Sequence, residues 1–152
     1  MKIPEGRLKR EWCGPASIRI AAGYLGLVVD EAKLAEKIYD PEWGMDGEAM
    51  LRGVATLGLY GAWVKDKDLS VLAKMVKLGD YQVILSWIVG EDKRNDGHYS
   101  VLLDADKERV NLADPDWIGS IKIMDRKRFE SVWFDYTEDG DRQEKYALVI
   151  SR

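Results

Sequence analysis

Cysteine and histidine are nearly missing from this 152-residue chain, which has one of each, and proline occurs only four times. A lone cysteine excludes an internal disulfide and a cysteine-rich zinc site, so neither cross-link nor metal knot is needed to explain the fold. The reading calls for no cofactor and no metal, and the cysteine usage suits a reducing, cytoplasmic setting. Long apolar runs are also lacking. The first twelve residues, MKIPEGRLKREW, are charged throughout and do not resemble a signal peptide, and no segment approaches membrane-spanning length. Charge of one sign is lacking as well: the net charge is −4, with acidic and basic residues interspersed, and no basic stripe suggests a nucleic-acid partner. The short cluster Arg126–Lys127–Arg128 is expected on a solvated helix face.

What is present divides by periodicity. The length fits one domain over residues 1–152, and no Ser/Gly/Pro-rich linker interrupts it. The front half is helical in pattern. Pro15 suits a first helical turn, and Ile18, Ala21, Ala22 and Leu25 follow at helical spacing, so the first helix starts at Cys13. Asp30, Asp46 and Asp68 are placed to cap three further helices, with Gly58 and Gly79 as left-handed terminators. The back half reads as strands: YQVILSWIV, HYSVLLD, RVNLAD, GSIKIM and a final YALVI, interrupted by a short helix capped by Asp125. The expected class is α+β, N-terminal helices packed on a C-terminal, mainly antiparallel sheet that meanders through short turns. Trp63, Trp87 and Trp133 lie on apolar periodic faces and are expected in the core. Residues 135–141, DYTEDGD, echo the start of a calcium loop, but its twelfth position would be Tyr146, and a solvated acidic hairpin turn is the better reading.

The strands HYSVLLD and RVNLAD flank ADKE, which predicts a tight hairpin around Asp106. A register in which facing residue numbers sum to about 212 sets Leu102 against Val110, Ser100 against Leu112 and His98 against Asp114. The sole histidine would then meet a carboxylate, whereas a one-residue slip would send Asp114 to the other face. Pro115 stops the strand, so Asp114 is presented at a strand end.

Cys13 opens a helix, where unpaired N–H groups favour a thiolate, and its own amide can donate to an oxyanion. A lone cysteine is more often a small buried apolar residue. The order Cys, His, Asp, with cysteine at the start of the first helix and the other two on later neighbouring strands, is the papain-like arrangement. In CGPAS, EAKLAEKI, GMDGEAMLRGVATLGLYGAWV, VILSWIV, GHYSVLLDAD and NLADPDWIG the chain resembles the bacteriocin-processing cysteine peptidases, which cleave leader peptides after a double glycine and form the N-terminal domain of ABC exporters or stand free.

That resemblance implies a papain-like fold, Cys13 as nucleophile, His98 as general base and then acid, and Asp114 as the group that orients the imidazole. The family's oxyanion glutamine, six residues before the cysteine, is here Arg7. Arg7 and the Cys13 amide, or Lys9, are then the candidate oxyanion donors. Trp12, Trp43 and Trp117, next to Cys13, a glycine-flanked loop and Asp114 in sequence, are candidates for the wall of a peptide cleft. The expected activity is hydrolysis of a peptide bond in a peptide or protein substrate through an acyl-enzyme. A catalytically weak, peptide-binding domain of the same fold, or acyl transfer by the same triad, are the alternatives. The chain has no GxxxxGK[ST] motif, so any transporter partner would be a separate chain.

Overall fold

The computed structural model describes residues 13–38, 46–89, 97–115, 121–136 and 140–152. Three helices come first: α1 (Cys13–Tyr24), α2 (Glu31–Ile38) and α3 (Gly47–Thr56). Strand β1 (Tyr60–Lys65) and helix α4 (Leu69–Lys77) follow, and then β2 (Tyr81–Ile88), β3 (Gly97–Ala105), β4 (Arg109–Ala113) and β5 (Ile121–Asp125). Helix α5 (Arg126–Val132), the short strands β6 (Phe134–Tyr136) and β7 (Arg142–Glu144), and β8 (Tyr146–Ser151) complete the order.

The expected caps form as the side-chain chemistry requires. Asp30 accepts from the Lys33 amide at 3.2 Å, Asp46 from Ala49 at 2.8 Å, Asp68 from Ser70 at 2.7 Å and Asp125 from Arg128 at 3.0 Å. Each carboxylate satisfies an amide that the first helical turn leaves without a backbone partner. Gly58 and Gly79, with φ of 76° and 88°, follow α3 and α4, where an L side chain would be strained.

All pairings in the six-stranded sheet are antiparallel, and its strand order is β1-β8-β2-β3-β4-β5. The mixed helix and antiparallel sheet is the expected class. The sheet is a meander only from β2 to β5, because the last strand returns to lie between β1 and β2. The burial pattern explains this. On β8, Leu148 and Ile150 pack with Ile18, Leu34, Met50, Val54 and Ile84 on the α1–α3 face, while Ala147 packs on the opposite face with Leu69, Leu72 and Phe129. A strand apolar on both faces belongs inside a sheet. β1 has no such pattern and sits at one edge, and β5, with Ile121 and Ile123 exposed, sits at the other. β1, β6 and β7 are the strands that periodicity missed, being polar, glycine-bearing or three residues long.

Trp87 and Trp133 are buried in the cluster under α4 and α5, as expected, whereas Trp63 is partly buried and donates its indole N–H to the Gly47 carbonyl at 2.9 Å. Arg126 departs from the expected solvated face. Its guanidinium reaches Ser70 Oγ at 2.8 Å and the Asp106 carbonyl at 2.9 Å, pinning the β3–β4 turn to the start of α4. Asp135 lies in β6, with its carboxylate on Ser86 Oγ at 3.0 Å, rather than in a solvated turn.

A central β8 and an exposed β5 respond differently to truncation. Leu148→Ala, fully buried, is expected to cost about 3 kcal/mol of unfolding free energy, and Ile123→Ala at the open edge to stay within about 0.5 kcal/mol, as read by urea denaturation.

Candidate active site

The hairpin β3–β4 departs from the expected register. Its turn is closed by the Asp106 amide on the Arg109 carbonyl, and the Asp106 carboxylate accepts from the Glu108 and Arg109 amides at 2.8 Å each. Ala105 therefore pairs with Val110 and Asp104 with Asn111, a sum of 215 rather than 212. Continued without interruption, that odd register would set Asp114 against Val101, on the face away from His98. A β-bulge between Leu102 and Asp104 absorbs one residue, after which Leu102 pairs with Leu112 and Val101 with Ala113. Beyond those pairs Ser100 stands opposite Asp114 and His98 lies one diagonal step further.

The net displacement from the expected register is two residues, and an even shift keeps every side chain on its face. His98 and Asp114 meet, though not as a directly facing pair: Nε2 lies 2.9 Å from Oδ1 and 3.0 Å from Oδ2. Both residues are almost fully enclosed, at 1% and 2% exposure. Since a carboxylate only accepts, the Nε2 position carries the proton.

Cys13 is placed by its own helix. Four residues on, Ser17 donates from Oγ to the Tyr99 carbonyl at 3.1 Å, tying the first turn of α1 to the residue next to His98. The thiol is buried, and it is near enough to His98 to help raise the pKa of the ring. With Nε2 held by Asp114, Nδ1 is the nitrogen left for Cys13. Nδ1 is buried and makes no well-aligned hydrogen bond, which fits a thiol that is near but not yet in line, as resting active sites often are.

These neighbours set the charge of His98. Burial works against the imidazolium, but the hydrogen-bonded Asp114 carboxylate, and then the nearby Cys13, outweigh it and raise the histidine from 6.5 to about 10. Tyr99, partly buried, is held well above the ordinary phenol range by burial and then by Cys13, Asp135 and Asp46, so it stays a neutral hydroxyl. Burial also raises Asp135, against hydrogen bonds from Tyr136 and Ser86. The Asp135 carboxylate lies so close over Gly97 that a Cβ there would stand 2.7 Å from Oδ2, which explains a glycine directly before the histidine.

Two residues of the site escaped the sequence. Ser100 donates to Asp114 Oδ2 at 2.8 Å, and Trp87 donates from Nε1 to Ser100 Oγ at 3.0 Å while its ring meets the edge of His98 with centroids 5.6 Å apart. Ser100 could have been found only from the bulged register that sets it opposite Asp114. Arg7, Trp12, Trp43 and Trp117 lie outside the described residues. Among the described residues no cluster of three or more His, Cys, Asp or Glu is arranged to hold a metal ion, and no helix is long and apolar enough to cross a membrane.

A histidine raised in the folded state stabilises the fold while it is charged. That contribution is complete below pH 6.5, its unfolded value, and is lost as pH rises towards 10. The stability difference between the wild-type chain and His98→Asn should therefore be constant below pH 6.5 and shrink steadily between 6.5 and 10 in urea melts.

The fold is shared with known peptidase domains. The peptidase domain of Streptococcus ComA, a bi-functional ABC transporter involved in a quorum sensing pathway, superposes with a TM-score of 0.71 at 20% identity, over 98% of this chain and 96% of that one. A C39-like peptidase from Bacillus anthracis gives 0.69 at 18% identity, over 93% and 89%. A double glycine motif protease from an AMS/PCAT transporter, solved with its leader peptide, gives 0.66 at 14% identity, over 99% and 91%. No curated protein sequence matches. The profile of the Peptidase C39 family matches residues 7–137, which cover most of the chain and contain Cys13, His98 and Asp114: the protein belongs to that family.

Proposed function

We propose that this chain is a cysteine peptidase that hydrolyses a peptide bond through an acyl-enzyme, with Cys13 as nucleophile, His98 as acid and base, and Asp114 as the orienting group. The observation that carries the reading is the buried imidazole clasped at Nε2 by both Asp114 oxygens, with Nδ1 left for the thiol at the start of α1.

In the first step the Cys13 thiolate attacks the scissile carbonyl carbon, and its electron pair forms the C–S bond while the carbonyl π pair moves to oxygen. The Cys13 amide, at a helix end where such groups lack backbone partners, donates to that oxyanion, with Arg7 as the second donor. When the carbonyl re-forms, the C–N bond breaks and the imidazolium passes its Nδ1 proton to the leaving amine. The neutral ring then takes a proton from water, whose oxygen attacks the thioester. Collapse of the second tetrahedral intermediate releases the acid and the thiolate, and His98 is again protonated. Asp114 stays ionised throughout and holds the ring in the orientation that both steps use.

The substrate class is a peptide, by analogy with the related protease solved with its leader peptide. Peptides carrying a double glycine are therefore the first to try. Cys13→Ala is expected to abolish their cleavage, and an electrophilic peptide should add to the wild-type protein by intact mass but not to the variant. Undiminished cleavage by Cys13→Ala would overturn the reading.

Arg7 occupies the position of the family's oxyanion glutamine. Removing an oxyanion donor costs roughly a hundredfold or more in rate, so Arg7→Ala should lower kcat by about that factor while Arg7→Gln retains activity. Equal kcat in wild type and Arg7→Ala would take Arg7 out of the oxyanion site.

A further inference from the structure

Behind the Cys13–His98–Asp114 line lies a buried hydrogen-bond chain whose direction is dictated by chemistry. An indole N–H can donate but not accept, so Trp87 Nε1 must donate to Ser100 Oγ, 3.0 Å away. Ser100 has one hydroxyl proton, which is directed to Asp114 Oδ2 at 2.8 Å. The same carboxylate holds His98 Nε2 at 2.9 and 3.0 Å. Trp87, Ser100, Asp114 and His98 are all buried, so bulk water does not compete for these bonds.

We propose that Ser100, polarised by Trp87, is a positioning residue that shares the Asp114 carboxylate with His98, pinning its pose and limiting how strongly it favours the imidazolium over the neutral ring. The kinetic consequence rests on the peptidase reading, whereas the electrostatic one does not.

The sign follows from the charges. A donor to a carboxylate stabilises the anion most when no cation faces it, that is, when His98 is neutral. Removing the donor makes Asp114 favour the imidazolium more strongly, so the ring gives up its Nδ1 proton less readily. Trp87 acts through Ser100, since a hydroxyl that accepts a hydrogen bond donates a stronger one, so its loss acts in the same direction but less. Loosened packing has the opposite effect, because water entering the site weakens the hold of Asp114 and returns His98 towards its ordinary value. Among the described residues, the other titratable or charged groups facing His98 are Cys13 from α1, Asp135 from β6 across Gly97, and Lys122 from β5 at 5.2 Å over the Trp87 ring. On the α4 side, Lys77 pairs with Asp104 at the far end of β3. None of these is altered by substitution at Ser100.

His98 is the only histidine, so its ring resonances can be titrated by NMR without ambiguity. The measurement is made in a Cys13→Ala background, where removal of one of the groups that raise His98 brings the midpoint down into an accessible range. There Ser100→Ala should raise the midpoint by about half a unit or more, Trp87→Phe should raise it by less, and Ser100→Thr, which keeps the hydroxyl, should recover the parent value. An unchanged midpoint, or one that falls towards 6.5, overturns the proposal. Should Ser100→Ala fail to fold by circular dichroism, Trp87→Phe decides alone by the same sign.

With Cys13 restored, Ser100→Ala should lower kcat about tenfold with KM within about twofold, because a proton held more tightly is delivered less readily to the leaving amine, and Ser100→Thr should recover most of it. An unchanged kcat overturns the proposal. A wild-type chain that cleaves no peptide refutes the peptidase reading, and the histidine titration still decides the role of Ser100.

Discussion

The contact between His98 and Asp114 is the constraint on which the rest of the site depends. It joins two strands through a turn whose own register would have sent the carboxylate to the wrong face. One extra residue in β3, between Leu102 and Asp104, restores the parity. From that point the neighbours are determined: Ser100 is brought opposite Asp114, and Trp87, paired with His98 across β2 and β3, is placed to donate to Ser100. A buried carboxylate costs free energy unless it is well partnered, and here an imidazole and a hydroxyl both supply protons to it.

The third member of the site comes from the other end of the chain and is held by packing. Helix α1 lies on the central strands, its apolar residues Ile18, Ala21 and Ala22 sharing a core with Ile84, Val101 and Leu148. The Ser17 hydroxyl on the Tyr99 carbonyl fixes the helix along its axis, so that the helix start, where Cys13 stands, falls beside His98. The imidazole is thereby enclosed by an anion on one side and a thiol on the other, and burial, which alone would make it neutral, is overcome by the two together. The sheet is suited to this task because its central strands are largely covered and its edges are β1 and β5, away from the buried centre.

Much of this was legible in the residues because it is local. Aspartates ahead of helical spacing became caps, glycines after it became left-handed ends, and Cys13 at the start of a helix needed only Pro15 and the apolar spacing behind it. The pairing of His98 with Asp114 was reached from a register that was wrong by two, and it survived because side-chain faces repeat every two residues. Ser100 was invisible for the same reason: in the expected register it faced Leu112, and only the bulge moved it opposite the carboxylate.

The sequence by itself determined the class of fold, where the helices start, the meeting of His98 with Asp114, and the family that the pattern of residues resembles. These depend on side-chain type and on periodicity, which each segment carries alone. Tertiary structure decided where β8 inserts, which strands form the edges, how the hairpin is registered and what stands behind the carboxylate. Those choices are settled by competition among distant segments for burial and hydrogen bonds, and no stretch of sequence records the outcome until the partners have met.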